Sequence, residues 1–68
     1  MYKLNVAYYC NRQSSKKGYR WEYRGKIADY KEHIEGWNNA IKQNCIFGVK
    51  VTDLETNEIV FIMTKEGN

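Results

Sequence analysis

The chain has 68 residues and a mass of 8.1 kDa, which leaves room for a single domain, residues 1–68, and excludes a multidomain enzyme. Apolar residues make up 43% of the chain and charged residues 28%, with a mean hydropathy of -0.76. This composition excludes a membrane span and low-complexity disorder, so we expect a soluble globular domain with no membrane partner.

The net charge of +3 is unevenly distributed along the chain. Residues 1–26 carry a net charge of +6, whereas residues 27–68 carry a net charge of -3. A basic first third is expected to attract phosphate groups or a carboxylate-rich surface. The same charges are also typical of a hairpin edge that is kept basic for solubility, and both interpretations stay open.

Two strands are predicted before residue 28, separated by a polar loop at residues 11–18. Alternation over residues 4–10 indicates a half-buried first strand. Residues 19–24 alternate more strictly and predict a second strand, antiparallel to the first. We expect the aromatic residues of the second strand to face the core and the charged ones to face water. The aromatic positions are Tyr19, Trp21 and Tyr23, and the charged positions are Arg20, Glu22 and Arg24.

One amphipathic helix is predicted after Gly25, because the apolar period changes to 3.6 residues. Asp29 is the expected N-cap, with Glu32 at the capping-box spacing. Gly36 lies in the middle of this helix, and we attribute it to a close approach of helix and sheet. The apolar stripe consists of Ile27, Tyr30, Ile34, Trp37 and Ile41.

A hairpin is predicted after the helix. Residues 45–52 alternate as a third strand, Asp53 is expected to bond within the turn, and Asn57 suits a left-handed turn position. Residues 59–63 are apolar on both faces, so we expect the fourth strand to be central in the sheet or covered by another chain. The predicted fold class is α+β, of order ββαββ, with a four-stranded antiparallel sheet and one amphipathic helix packed on one face.

The two cysteines are too few for a disulfide framework and lack the spacing of a zinc or redox motif. We expect Cys10 and Cys45 to be buried free thiols, and a bridge between them is the alternative.

The sequence contains no signature of catalysis. His33 is the single histidine, so a second histidine ligand for a metal is missing, and no glycine-rich phosphate loop occurs. The Glu32 and Glu35 carboxylates are expected on a solvated helix face. We therefore predict that the protein is not an enzyme and holds no cofactor and no metal.

A binding function is the remaining expectation. The sheet face away from the helix is predicted to carry Asn5, Ala7, Tyr9, Arg20, Glu22, Arg24, Lys50, Thr52, Val60 and Ile62. An aromatic ring among cations suits nucleic acid, whereas Val60 and Ile62 suit a protein interface, so we favour protein. A homodimer through this open face is a further alternative.

The order of elements and three short segments carry a resemblance to a known family. The segments are residues 42–48, the Glu55-Thr56 turn and residues 65–67. The chain resembles small phage-encoded anti-CRISPR proteins that inhibit the type I-F surveillance complex. This resemblance implies a non-enzymatic inhibitor that docks on an RNA-guided nucleoprotein complex through the helix, with Lys42 and Asn44 at matching positions.

The leading sequence-based hypothesis is a phage or mobile-element protein that binds a host protein or nucleoprotein complex stoichiometrically in the cytoplasm of a bacterial host. The amino-acid composition supports that origin, since the four amino acids with A/T-rich codons, Lys, Asn, Ile and Tyr, account for 27 of 68 residues. The alternative is a nucleic-acid-binding module that uses a basic, aromatic N-terminal hairpin. The residues of this basic patch are Tyr9, Arg12, Lys16, Lys17, Arg20 and Arg24.

Overall fold

The computed structural model describes residues 1–9 and 18–66. The strands are β1 (Tyr2–Tyr9), β2 (Tyr19–Ile27), β3 (Gly48–Asp53) and β4 (Ile59–Thr64). A 3-10 turn (Lys31–His33) leads directly into one α-helix, α1 (Ile34–Lys42). The predicted α+β fold of order ββαββ is confirmed.

The four strands form one antiparallel sheet of order β2-β1-β3-β4. β1 and β3 occupy the centre, which is why Ala7, Val49 and Val51 are fully buried. β4 is an outer strand in the part of the chain that the structure describes, so its predicted central position is wrong. β4 pairs with β3 along one edge, and no strand of the described residues pairs with its other edge.

The helix covers one side of the sheet at β3 and β4. The Trp37 ring lies 6.1 Å from Phe61 of β4, and the Tyr30 ring lies 5.6 Å from Phe61 and 5.1 Å from Tyr2. Ile41 is the buried residue of α1. Tyr30 and Trp37 of the predicted apolar stripe therefore lie on the sheet, whereas Ile27 is the last residue of β2.

The helical segment begins later than its apolar period predicts. The Lys31 N–H donates a hydrogen bond of 3.0 Å to Asp29 Oδ1, and this bend precedes the 3-10 turn. Asp29 therefore binds the first helical N–H, as an Asx-type turn rather than as the immediate N-cap of α1.

The end of α1 explains the position of Cys45. Asn44 adopts a left-handed conformation with φ 62°. The Cys45 N–H donates to Ala40 O at 2.9 Å and the Asn44 N–H donates to Ile41 O at 3.1 Å, which is the Schellman pattern. Cys45 thus belongs to the helix cap and not to a strand, and it is an exposed free thiol. Its predicted burial is wrong, and Cys10 lies outside the described residues.

The entry to β3 contains an irregularity that brings the backbone close to β4. Gly48 is the register partner of Ala7, and the preceding Phe47 N–H also donates to Ala7 O at 2.7 Å. A Cβ atom on Gly48 would lie 2.7 Å from Met63 O. Only glycine fits at this position without displacing the β4 backbone.

The β3–β4 turn follows its sequence prediction. The Glu55 N–H donates to Asp53 Oδ1 at 2.8 Å, and Asn57 is left-handed with φ 64°. By contrast, the predicted close approach at Gly36 is wrong, because a Cβ atom there would meet nothing within 4 Å.

Candidate functional site on the open sheet face

Strand register assigns the side chains of the sheet to two faces. Tyr2 and Phe61 contact Tyr30 beside the helix, so their face is the helix side. The opposite face, called here the open face, carries the alternate residues of each strand. Its cross-strand rows are Lys26–Lys3–Thr52–Ile59, Tyr23–Asn5–Lys50–Ile62, Trp21–Ala7–Gly48–Thr64 and Tyr19–Tyr9.

The predicted orientation of β2 is wrong. Trp21 pairs with Ala7 on the open face, whereas Arg20 pairs with Tyr8 on the helix side. Alternation shows that two faces differ in polarity but does not show which one faces the helix. The helix lies over β3 and β4. The aromatic residues of β2 therefore pack on the opposite face of the sheet, where Tyr19 contacts Phe47.

Four rings form a continuous cluster on the open face, and we call it the aromatic cluster. The Tyr19 and Phe47 rings are stacked, with their centroids 3.8 Å apart and their planes at 7°. Tyr9 meets Phe47 edge-on at 6.0 Å, and Trp21 meets Tyr19 edge-on at 6.4 Å. Phe47 is buried and supports the cluster, while Tyr9 is 44% exposed.

Three lysines accompany the rings. The Lys50 Nζ lies 4.8 Å from the centroid of Trp21, which is a cation–π contact. Lys3 and Lys26 are direct cross-strand partners. Two like charges placed opposite each other repel, and a bound anion would relieve that repulsion.

The described strand positions of the open face carry no carboxylate. Glu22 pairs with Val6, and Asp53 pairs with Tyr2, so both acids lie on the helix side. Among the described strand positions, the charges on the open face are therefore all positive, whereas the helix side carries these two acids together with Arg20 and Arg24. The open face is basic and aromatic, and Tyr23, which is 55% exposed, lies in its central row.

The predicted basic patch is not brought together as a unit. Tyr9 lies on the open face, whereas Arg20 and Arg24 lie on the helix side of the outer strand β2. Arg20 forms an exposed ion pair of 3.1 Å with Glu22, and the Arg24 guanidinium lies 5.8 Å from the Tyr8 ring. The other members of the patch, Arg12, Lys16 and Lys17, lie outside the described residues.

The two positions implied by the family resemblance lie at the end of α1. Lys42 is exposed in the last helical turn, and Asn44 is exposed but takes the left-handed capping position. Neither residue is part of the open face. Sequence reasoning missed Lys3, Lys26, Trp21 and Tyr23 as surface residues of one site, because only the β1–β2 register places them together.

The described residues contain no group of three side chains that could hold a metal ion. His33 is exposed, and its ring lies 5.5 Å from that of Trp37. None of the described helices has the length and apolar character needed to cross a membrane.

The fold and this face define a small α+β domain with a basic, aromatic sheet surface. Comparison of the chain with protein-family models, with curated proteins and with solved structures yields no match. The resemblance to the anti-CRISPR family stays a prediction from the sequence.

Proposed function

We propose that the protein binds single-stranded nucleic acid on the open face of its sheet. The observation that carries this proposal is the combination of exposed aromatic rings and lysines on one face whose described strand positions hold no carboxylate. Aromatic side chains stack on nucleobases, and neighbouring cations neutralise the phosphates that link those bases.

The position of Lys50 supports this function. Its ammonium group is held over the edge of the aromatic cluster by the Trp21 ring. A phosphate bound there places its attached base within reach of the exposed Tyr23, which is in the same cross-strand row as Lys50. The Lys3–Lys26 pair supplies a second cationic position at the end of the same face.

A single strand fits this face better than a duplex. Stacking requires an unpaired base, because the faces of paired bases are covered by their neighbours in the double helix. The open face is built from strand residues, and α1 is on the opposite side, over β3 and β4. The helix is therefore not available at this face for insertion into a major groove.

Binding of a host protein, favoured from the sequence, has less support from the geometry. That expectation required Arg20 and Arg24 to share a face with Val60 and Ile62. The strand register places the two arginines on the helix side and Ile62 on the open face. A nucleoprotein complex with an exposed single strand remains compatible with the proposed surface. Origin in a phage or mobile element and action in the bacterial cytoplasm belong to the proposal on the basis of composition alone.

Fluorescence anisotropy with labelled single-stranded DNA and RNA tests the proposal. With three lysines in contact, the logarithm of the association constant should fall with the logarithm of salt concentration at a slope of about -2. Replacing Lys3, Lys26 and Lys50 together by Gln should weaken binding by about tenfold or more, because the phosphate contacts are lost.

A matched control removes the same charge from the other side of the molecule. Substitution of Arg20, Arg24 and Lys42 by Gln lowers the net charge equally but leaves the open face intact. This variant should retain most of the affinity at fixed salt. Equal losses in the two triple variants, or no binding by the unmodified protein at low salt, would overturn the proposed function.

A further inference from the structure

The outer strand β4 lacks the charged side chains and prolines that commonly protect a sheet edge. Residues 59–64 contain neither a charge nor a proline, and Ile62 is 43% exposed. The other outer strand, β2, carries exposed Arg20, Arg24 and Lys26 and a register shift near Gly25. Both outer strands contain a register shift, but only β2 carries charged side chains, which deter edge pairing, so among the described residues β4 is the edge more open to another strand.

The backbone groups of Ile62 point away from β3. The Lys65 N–H donates to Phe47 O at 2.8 Å, and the Asp53 N–H donates to Glu58 O at 2.8 Å, so Lys65 and Glu58 face inward. Hydrogen-bonding direction alternates along an antiparallel strand, which places the Met63 and Phe61 backbone groups inward and those of Ile62 outward.

A register irregularity in β4 sets which residues are equidistant from Ile62. Phe61 pairs with Val51 and Ile59 pairs with Thr52, so Val60 is an extra residue that occupies no pairing step. Counted in pairing steps, Glu58 is three steps before Ile62 and Lys65 is three steps after it. In residue numbers these separations are four and three, and they become equal in pairing steps because Val60 occupies no step.

We propose that β4 pairs with β4 of a second copy of this chain, antiparallel and with a two-fold axis at Ile62. Each Glu58 then lies opposite Lys65 of the other copy, which gives one ion pair at each end of the interface. Phe61 lies opposite Met63 of the other copy, and both residues are on the helix side of their sheets.

This two-fold arrangement joins two sheets into one of eight strands and closes on itself, as isologous interfaces do. The axis is perpendicular to the sheet, so both open faces lie on the same side of the dimer. It covers the exposed edge and the exposed Ile62. The dimer does not depend on the proposed function, but it would present two nucleic-acid surfaces to one strand.

Sedimentation velocity over a wide range of protein concentration tests the dimer. The unmodified chain should convert to a species of twice the monomer mass and stop there. Ile62→Lys puts two like charges at the axis and should weaken dimerisation by about tenfold or more. Leu54→Lys adds the same charge at an exposed apolar position in the β3–β4 turn and should leave the dimer unchanged.

A charge exchange tests the register. Glu58→Lys alone and Lys65→Glu alone should each weaken the dimer by about tenfold, because two repulsive contacts replace two attractive ones. The double variant restores opposite charges and should recover the original affinity to within about twofold. Circular dichroism confirms that each variant is folded.

Three results would overturn the dimer. The first is a monomer over the whole concentration range, which leaves β4 for a different partner. The second is growth beyond two copies, which indicates head-to-tail pairing of β4 with β2. The third is a dimer that the Glu58 and Lys65 exchange does not restore. Slower amide exchange of Ile62 with rising concentration gives independent support, because its N–H becomes hydrogen-bonded only in the dimer.

Discussion

The Lys50 ammonium lies 4.8 Å from the ring centroid of Trp21, although the two residues are on strands separated by β1. This contact spans the centre of the open face and links its cationic and aromatic parts. A cation held over an indole is partly desolvated and fixed in position, so less side-chain entropy is lost when a phosphate binds. The fluorescence of Trp21 should therefore respond to ligand binding.

Tryptophan fluorescence should report binding through Trp21 and not through Trp37. The two residues lie on opposite sides of the sheet, with Trp37 against Phe61. Addition of single-stranded nucleic acid should change the emission of Trp37→Phe, which keeps Trp21. Trp21→Phe should show little change even when anisotropy shows that the ligand is bound, and the reverse pattern would move the site to the helix side.

Tyr23 should contribute to affinity without contributing much to stability. The residue is 55% exposed and lies in the central row of the open face. Tyr23→Ala should weaken binding of an unpaired strand by about 1–3 kcal/mol, the typical value for one stacked base. Titration by anisotropy measures this loss.

Tyr23→Phe is the matched control, because it keeps the ring and removes only the hydroxyl. It should bind nearly as well as the unmodified protein. A loss as large as that of Tyr23→Ala would mean that hydrogen bonding, and not stacking, accounts for the role of Tyr23. Thermal unfolding should show similar midpoints for both variants.

Gly36→Ala should stabilise the domain. Gly36 lies in α1, and an added Cβ atom meets nothing within 4 Å. Replacing a helical glycine by alanine contributes about 1 kcal/mol to the free energy of unfolding. For a domain of this size the melting temperature should rise by about 4–8 °C in a thermal scan.

The same change at Gly48 should have the opposite sign. An added Cβ atom would lie 2.7 Å from Met63 O, and a backbone atom of a paired strand cannot move aside cheaply. Gly48→Ala should destabilise the domain by about 2 kcal/mol. A melting temperature that rises in both variants would contradict the close approach of β3 and β4.

Asn44 should affect stability through its backbone conformation. Its φ of 62° is left-handed, where a side chain with a Cβ atom but no local hydrogen-bonding group is disfavoured. Asn44→Ala should lower the free energy of unfolding by about 1 kcal/mol, whereas Asn44→Gly should not lower it. Denaturant unfolding measures both values.

The pair of variants also tests the family resemblance at this position. If Asn44 contacts a partner through its side chain, the Ala and Gly variants should lose affinity equally. If the residue acts only as a helix cap, the Ala variant alone should lose affinity, and it should do so because its free energy of unfolding is lower.

Local patterns were sufficient to predict the elements of this protein and several of its turns. Alternation predicts the strands, the 3.6-residue period places Tyr30 and Trp37 on the sheet, and Asp53 and Asn57 adopt the predicted turn geometry. These features depend on residues within a few positions of one another, so the chain sequence determines them directly.

The faces of the sheet and the composition of the site were decided by tertiary structure. Whether Trp21 or Arg20 shares a face with Tyr9 depends on the pairing of β2 with β1, and a shift of one residue exchanges them. The position of β4 at the edge depends likewise on β1 pairing with β3. The sequence alone determined that this chain has a basic half, aromatic strands and an amphipathic helix. Register between distant strands decided which of those residues meet, because pairing is set by contacts summed over the whole sheet and not by any one segment.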